Sequence, residues 1–319
     1  MGFRHTCGWL PENVTGEMIE NDYQTAVQAC YSTWSGTYYD DYYGAKASYP
    51  PVHRDLLKRV LREAGAQTLL DAGCGPASFL RELTDSGMDL YGFDLTPQMV
   101  EEARRVMGAY GFPESHFWEG SVTRRESFRP AQNEGGLYDA AICVGVFPHI
   151  PAEMDSTAIG NLKSVVRPKG LVIVEARNEL FGLFSLNRYS SALFEQRLIQ
   201  VERLKANAPE ESANIDAAIS ALRERFRMDL PPVRGGKAGE PGYDEVLSRF
   251  HNPFELRELL AQQGLGDIRL LFYHYHALPP QLAPWAPKLF LEESLRREDP
   301  QDWRGFFMAS VFFVVGKVS

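Results

Sequence analysis

The chain has 319 residues, enough for one large α/β domain with decorations or for two small domains. Its 44% hydrophobic content can fill a core, and its formal net charge of −9 argues against gripping a phosphate backbone, so no nucleic-acid partner is expected. No apolar run reaches bilayer length and the four cysteines form no C-x-x-C pair, so the expectation is a cytoplasmic protein with neither a membrane span nor structural zinc.

Residues 1–51 are rich in aromatics: Trp9, Tyr23, Tyr31, Trp34, Tyr38, Tyr39, Tyr42 and Tyr43. Little strand-like alternation appears, which predicts short helices and loops capping a main domain. Tyrosine joins an apolar face to a polar tip, so Tyr38, Tyr42 and Tyr43 suit either cap packing or ligand contact. After Pro50-Pro51, Leu56, Leu57, Val60 and Leu61 form a helical stripe. Residues 68–83, TLLDAGCGPASFLREL, read as a strand, a glycine turn and the start of a helix. Gly73 and Gly75 allow backbone angles that a Cβ forbids, and Pro76 suits a first helical turn. Such a device lets a ligand approach the main chain and offers it free N–H groups. Two cofactor readings compete at this point. One is D-x-G-x-G, from Asp71 to Gly75; the other is the dinucleotide pattern G-x-G-x-x-G, whose third glycine position holds Ser78.

Residues 89–94 form the second strand, ending in Asp94, about twenty positions after the glycines. A carboxylate there can accept hydrogen bonds from both hydroxyls of a ribose. Capping the next helix is its alternative task, but Thr96 and Pro97 can serve that end. A helix over 98–110 leads to a third strand near 116–118 and to Gly120, Ser121 and Val122. Residues 124–136 are expected to be helix, then loop. Residues 137–146 give the fourth strand and its exit, followed by Phe147-Pro148-His149-Ile150. A helix over 155–166 precedes the apolar fifth strand at 171–176, as expected for a sheet covered on both faces. Residues 177–250 form a long insertion with charged helices over 192–206 and 215–228 and a Pro/Gly-rich link at 231–242. It leaves the carboxyl edge, where open α/β sheets bind ligands, so a substrate lid is expected. Arg177, Asn178, Arg188 and Tyr189 at its mouth suit an acceptor bearing carboxylate, phosphate or hydroxyls, or else ordinary ion pairing between lid and body. A last helix over 252–263 precedes strands at 267–277 and 306–318. His274 and His276 alternate along the first of these and so share one face.

Together these motifs resemble the class I S-adenosylmethionine (SAM) dependent methyltransferases of small-molecule type. The residues that carry the resemblance are the Asp71–Gly75 turn, Asp94-Leu95-Thr96-Pro97-Gln98-Met99 against D-x-[ST]-x-x-M, Tyr138-Asp139 before an apolar run, the 147–150 turn, and Arg167-Pro168-Lys169-Gly170 before strand five. The resemblance implies an α/β fold: a Rossmann-like seven-stranded sheet, mostly parallel with the last strand antiparallel, with a helical N-terminal cap and a helical lid insertion. The domains would be a cap at 1–51, a SAM-binding catalytic domain at 52–176 and 251–319, and the lid at 177–250. The implied cofactor is SAM, with S-adenosyl-L-homocysteine (SAH) as product. Its implied contacts are Asp71, Gly73, Gly75, Asp94, Leu95, Met99, Gly120, Ser121, Val122 and Val144, with Tyr43 from the cap. The family often has Asp at the position of Ser121, touching the adenine amine; a hydroxyl or main-chain carbonyl must substitute here.

SAM's methyl is already electrophilic, so an enzyme needs mainly to exclude water and align the acceptor. An oxygen acceptor is helped by a base. His149 is the first candidate, because the resemblance places its turn near the methyl; His274 and His276 are the others, and Tyr38 and Tyr42 would join the four lid-mouth residues around the acceptor. The expected function is O-methylation of a small polar metabolite, a sugar or biosynthetic intermediate. Nitrogen or carbon methylation and a non-catalytic SAM-binding role are the alternatives. No metal is expected, because Asp139 stands at the wrong end of strand four and Asp155 stands alone. A homodimer is compatible with the chain.

Overall fold

Strand β1 (Thr68–Ala72) buries Leu69, Leu70 and Ala72 completely and lies between β2 (Asp89–Asp94) and β4 (Tyr138–Cys143), parallel to both. The computed structural model describes residues 16–44, 47, 49–132, 135–230, 242 and 246–319. With β3 (Phe117–Glu119), β5 (Val166–Arg177), β6 (Leu265–Tyr275) and β7 (Ala309–Val318), the strands make one seven-stranded sheet in the order β3-β2-β1-β4-β5-β7-β6. The pairs β2–β3 and β4–β5 are also parallel, and the last strand runs antiparallel, so the expected sheet is present. The central strands are apolar throughout: Ala140 to Cys143 and Val172 to Val174 are fully buried. Each large aliphatic side chain so buried contributes about 1.5–3 kcal/mol. Helices α1 (Gly16–Ser32), α2 (Tyr38–Tyr42), α3 (Val52–Glu63), α4 (Pro97–Gly108) and α5 (Asp155–Lys163) complete this part. The stripe read from the sequence is the buried face of α3, and α4 buries Met99, Val100, Ala103, Val106 and Met107.

Three local expectations give way. No α-helix follows the glycine turn. Ala77 takes a left-handed φ of 58°, which interrupts any helix from Pro76, and a single 3-10 turn, Leu80–Leu83, buries the two leucines instead. The described residues of 124–136 hold only the 3-10 turn Arg125–Ser127. Ser127 is tied back to β3, accepting from the Ser121 amide through its hydroxyl (2.9 Å) and from Trp118 Nε1 through its carbonyl (2.8 Å). Arg167 to Gly170 is part of a twelve-residue β5 rather than a separate turn.

The chain divides into two compact units. His5–Arg177, Arg234–Leu271 and Phe312–Ser319 form one; Asn178–Val233 and Phe272–Val311 form the other. The division differs from that expected of the sequence. The excursion between β6 and β7, with helix Pro287–Arg296, joins the insertion, while residues 246–250 belong with the sheet. Within the second unit, Asn178 is fully buried, and its amide donates to the carbonyls of Gly305, Phe306 and Ala309 at 3.2, 2.9 and 2.8 Å. That staple joins segments 127 or more residues apart, which no local pattern in a sequence can announce. The insertion's first charged helix is also broken: a π-helix, Leu193–Ile199, meets helix Val201–Asn207 at a left-handed Gln200. Trp9 and all but Gly242 of the 231–242 link lie outside the described residues.

Candidate active site

The glycine turn hangs between β1 and the end of β2. The Gly73 and Cys74 amides both donate to the Phe93 carbonyl, at 2.8 and 2.9 Å. Gly73 has a φ of 92°, and a Cβ there would run into Val146, so only glycine lets β4's exit pass this close. Asp94 closes the turn: one carboxylate oxygen accepts from the Gly75 amide (2.9 Å), the other from the Thr96 amide (2.8 Å). Burial raises the Asp94 pKa, and these backbone bonds work against that rise. The Thr96 side chain and the Leu95 backbone also hydrogen-bond to this carboxylate, which lines the cleft. The helix start expected to offer free N–H groups is absent.

A cleft of about 690 Å³, counting its open mouth, runs along this edge, a volume suited to a nucleotide-sized ligand. Of the cofactor contacts expected, Gly73, Gly75, Asp94, Leu95, Met99, Gly120, Ser121, Val122 and Val144 line it. Asp71 and Tyr43 are not among the lining residues. Tyr43 instead bonds His53 of α3 through its hydroxyl, at 2.8 Å. Asp71 is buried at the end of β1, and one of its oxygens has no hydrogen-bond partner. Burial, and then the charges of Asp94 and Glu175, push its pKa well above the usual carboxylate range. Of these three carboxyl groups, Asp94 is the one that lines the cleft.

Helix α1 forms the opposite wall, which sequence reasoning missed. Tyr23, Gln24, Val27 and Tyr31 face the cleft. Their helical spacing was the available signal, hidden because the segment reads as generic aromatic cap. α1 is held by a small core of Cys30, Trp34, Met99 and Val246, against which Val27, Tyr31 and Tyr38 pack. Tyr38 lines the cleft; Tyr42 stacks on it at 4.7 Å and is 41% exposed.

His149, which also lines the cleft, is buried in a 3-10 turn after β4, Phe147–His149. Its Nδ1 lies 2.7 Å from the Leu247 carbonyl and its Nε2 lies 3.1 Å from the Tyr31 hydroxyl. A carbonyl only accepts, so Nδ1 carries the proton and Nε2 accepts from Tyr31. Burial, and then the positive charge of Arg177, lower the His149 pKa to about 3. Burial raises that of Tyr31 well above its ordinary value, so both groups are neutral at physiological pH. The strap that supplies Leu247 is fixed on both sides. Arg249 donates to the carbonyls of Pro148 (2.8 Å, through its amide) and Ile150 (2.6 Å) and pairs with Asp155 at 2.6 Å, while Arg177 binds Ser248. Asp155 thus does not stand alone.

The other expected site residues lie in the second unit. Asn178 spends both its amide hydrogens on main-chain carbonyls, which corrects its assignment to a substrate. Arg188 donates to the Tyr189 hydroxyl at 2.9 Å. His276 is buried against Phe181 and Phe290, and His274 stands beside it at a left-handed φ of 59°. Burial lowers both imidazoles, His274 to about 4.

A parallel sheet in this order, a glycine turn closed by an acidic strand end and a nucleotide-sized cleft along its carboxyl edge define a SAM-binding methyltransferase domain of class I. Residues 69–170, about a third of the chain, match the family model described as "Methyltransferase domain", a SAM-dependent family. The chain is 29% identical over 147 residues to human glycine N-methyltransferase, covering 43% of this chain and 50% of that one. It is 33% identical over 98 residues to magnesium-protoporphyrin O-methyltransferase of Synechocystis sp., covering 30% and 38%, and 28% identical over 141 residues to a ubiquinone biosynthesis O-methyltransferase of Xanthomonas axonopodis, covering 43% and 53%. The chain spans about half or less of the length of these relatives. Among solved structures it resembles the SAH-bound magnesium protoporphyrin IX methyltransferase of Synechocystis PCC 6803, with a TM-score of 0.49 and 16% identity over 93% of this chain and all of that one. Among the described residues, no helix is long and apolar enough to cross a membrane.

Proposed function

We propose that this chain transfers the methyl group of SAM to an oxygen of a small polar metabolite, a sugar or a biosynthetic intermediate, with Tyr31 and His149 taking up the proton released. The observation that carries the reading is the neutral Tyr31–His149 hydrogen bond on the wall of the same cleft whose other end holds Asp94. When bound, SAM supplies a methyl on a cationic sulfur, which is electrophilic without further activation. Asp94 would hold the ribose hydroxyls. The apolar wall of Val27, Val144 and Val146 keeps water from the acceptor oxygen.

A base with a pKa near 3 cannot ionise an alcohol beforehand. It need not, because an oxygen that has gained a methyl while keeping its proton is a far stronger acid than this imidazolium. The proton passes to Tyr31 as the Tyr31 proton passes to His149 Nε2, and the Leu247 carbonyl holds the imidazolium through Nδ1. Two neutral groups are thereby placed to accept charge late.

Methylation of nitrogen in a small amine bearing a carboxylate is the second reading. Arg177, whose charge reaches Tyr31 and His149, favours it, as does the likeness to glycine N-methyltransferase. Calorimetry with SAM and SAH, followed by label transfer from SAM to a panel of hydroxylated and amino-carboxylate metabolites, tests both readings. We expect binding of both nucleosides and label on a hydroxylated acceptor. Binding with label confined to amines would select the second reading, and absence of SAM binding would end both.

A further inference from the structure

Residues 247–250, the strap beside the His149 turn, have neither helix nor strand of their own, so their geometry is borrowed. One residue fastens strap to turn. Arg249 reaches three of the four carbonyls of the 147–150 turn: Pro148 through its amide (2.8 Å), Ile150 through Nε (2.6 Å) and Phe147 through Nη2 (3.4 Å). Asp155 aims the guanidinium. One of its carboxylate oxygens lies 2.6 Å from the same Nη2, and His251 Nε2 stands 3.3 Å from the other. Asp155 is the first residue of α5, where a helix N-terminus favours a carboxylate, and α5 is seated by the fully buried Ala158, Ile159 and Leu162. A planar guanidinium with fixed donor directions carries that anchorage across to the turn. A largely buried ion pair is weak evidence for stability, because well-packed apolar side chains hold a core as well. What this pair adds is direction.

We infer that Asp155, acting through Arg249, is a positioning residue for the His149 imidazole. Asp155 orients Arg249, Arg249 fixes the turn to the strap, and the strap presents the Leu247 carbonyl to His149 Nδ1 at 2.7 Å. A carbonyl only accepts, so the placement of the strap decides which ring nitrogen carries the proton. With the strap in place, Nδ1 holds the proton and Nε2 takes the Tyr31 hydroxyl at 3.1 Å. Once Arg249 loses its partner, its cation is drawn to water and the carbonyls of the turn are released. An imidazole freed from Leu247 and open to water takes the other tautomer, Nε2–H, which has no lone pair there for Tyr31. Asp155 and Arg249 are not among the residues lining the cleft, so they act through His149. The catalytic use of this arrangement rests on the reading of His149 as proton acceptor; the positioning itself does not.

The test reads the tautomer directly, from the nitrogen-15 shifts of the imidazole rings in the intact chain at neutral pH, with no acceptor present. The chain has seven histidines, and the His149 signals are those lost in His149→Gln. In the wild type Nδ1 should carry the proton in about nine-tenths or more of the molecules. In Asp155→Asn, nearly the same shape but uncharged, the Nε2–H form should become the major one. Arg249→Met removes the guanidinium from the same path and should do the same. Asn161→Ala, on the same helix, deletes a buried bond to the Val122 carbonyl (3.1 Å) and should lower stability without moving the His149 signals. A wild type in the Nε2–H form would overturn the inference even if neither variant folds. So would an unchanged tautomer in Asp155→Asn or Arg249→Met, or a change of the same size in Asn161→Ala. With an acceptor in hand, Asp155→Asn should lower single-turnover methyl transfer about tenfold while SAM affinity stays within about twofold. A shifted tautomer with transfer unchanged would uphold the positioning and end the reading of His149 as proton acceptor.

Discussion

At one end of the cleft Asp94 meets Gly75 across 19 residues of sequence; at the other, Tyr31 meets His149 across 118, and Leu247 reaches His149 across 98. The first end is a strand, a turn and the next strand, so its chemistry is written in consecutive residues. The second is assembled from α1, the exit of β4 and a strap that follows the insertion. Binding a common cofactor needs one conserved shape, and a short motif can encode it. Aligning an acceptor needs groups brought in from whichever segments pack over that motif. The two ends should therefore fail separately: damage to Asp94 should appear in affinity, damage to His149 in rate.

The largest expected effect is at the assembled end. His149→Ala should lower methyl transfer by about 10²-fold or more while SAM affinity stays nearly intact, read by single-turnover label transfer and calorimetry. Full activity in that variant would return the proton-accepting task to the cap tyrosines or to His274 and His276. The contiguous end should show the converse. Asp94→Ala removes the carboxylate proposed to hold the ribose and the bonds that close the turn on Gly75 and Thr96. A charged hydrogen bond is worth about 1.5–3 kcal/mol, so the Kd for SAM should rise about 10–100-fold. Unchanged SAM affinity would remove the ribose contact.

Legibility in the sequence follows the same divide. The seven-stranded sheet with its antiparallel last strand and the glycine turn were legible from local motifs, and nine of the eleven residues named for the cofactor line the cleft. Tyr43 is off the cleft wall because its hydroxyl is taken by His53, a tertiary contact invisible in the motif. Gln24 and Tyr31 escaped notice because polar and aromatic residues on a helix have no signature until its packing face is known. Asn178 looked like a ligand because it leaves a strand at the binding edge; its real partners arrive 127 to 131 residues later. The excursion 272–311 could not be joined to the insertion for the same reason.

The smallest effect is the most discriminating for how the assembled end works. An imidazole titrating at its ordinary 6.5 would be about nine-tenths protonated at pH 5.5, and transfer dependent on its neutral form would fall about tenfold from its value at pH 8. Burial and the Arg177 charge instead hold His149 near 3, and the sign is therefore fixed: lowering the pH toward 5.5 leaves the imidazole neutral and Nε2 available to Tyr31. Tyr31 is raised, not lowered, so it keeps its proton at the alkaline limb. Single-turnover methyl transfer should consequently change less than about twofold between pH 5.5 and 8. A break near 6.5 that disappears in His149→Ala would mean that His149 is solvated in the working complex, that α1 does not stay seated over it, and that the two ends of the cleft are less independent than their construction suggests.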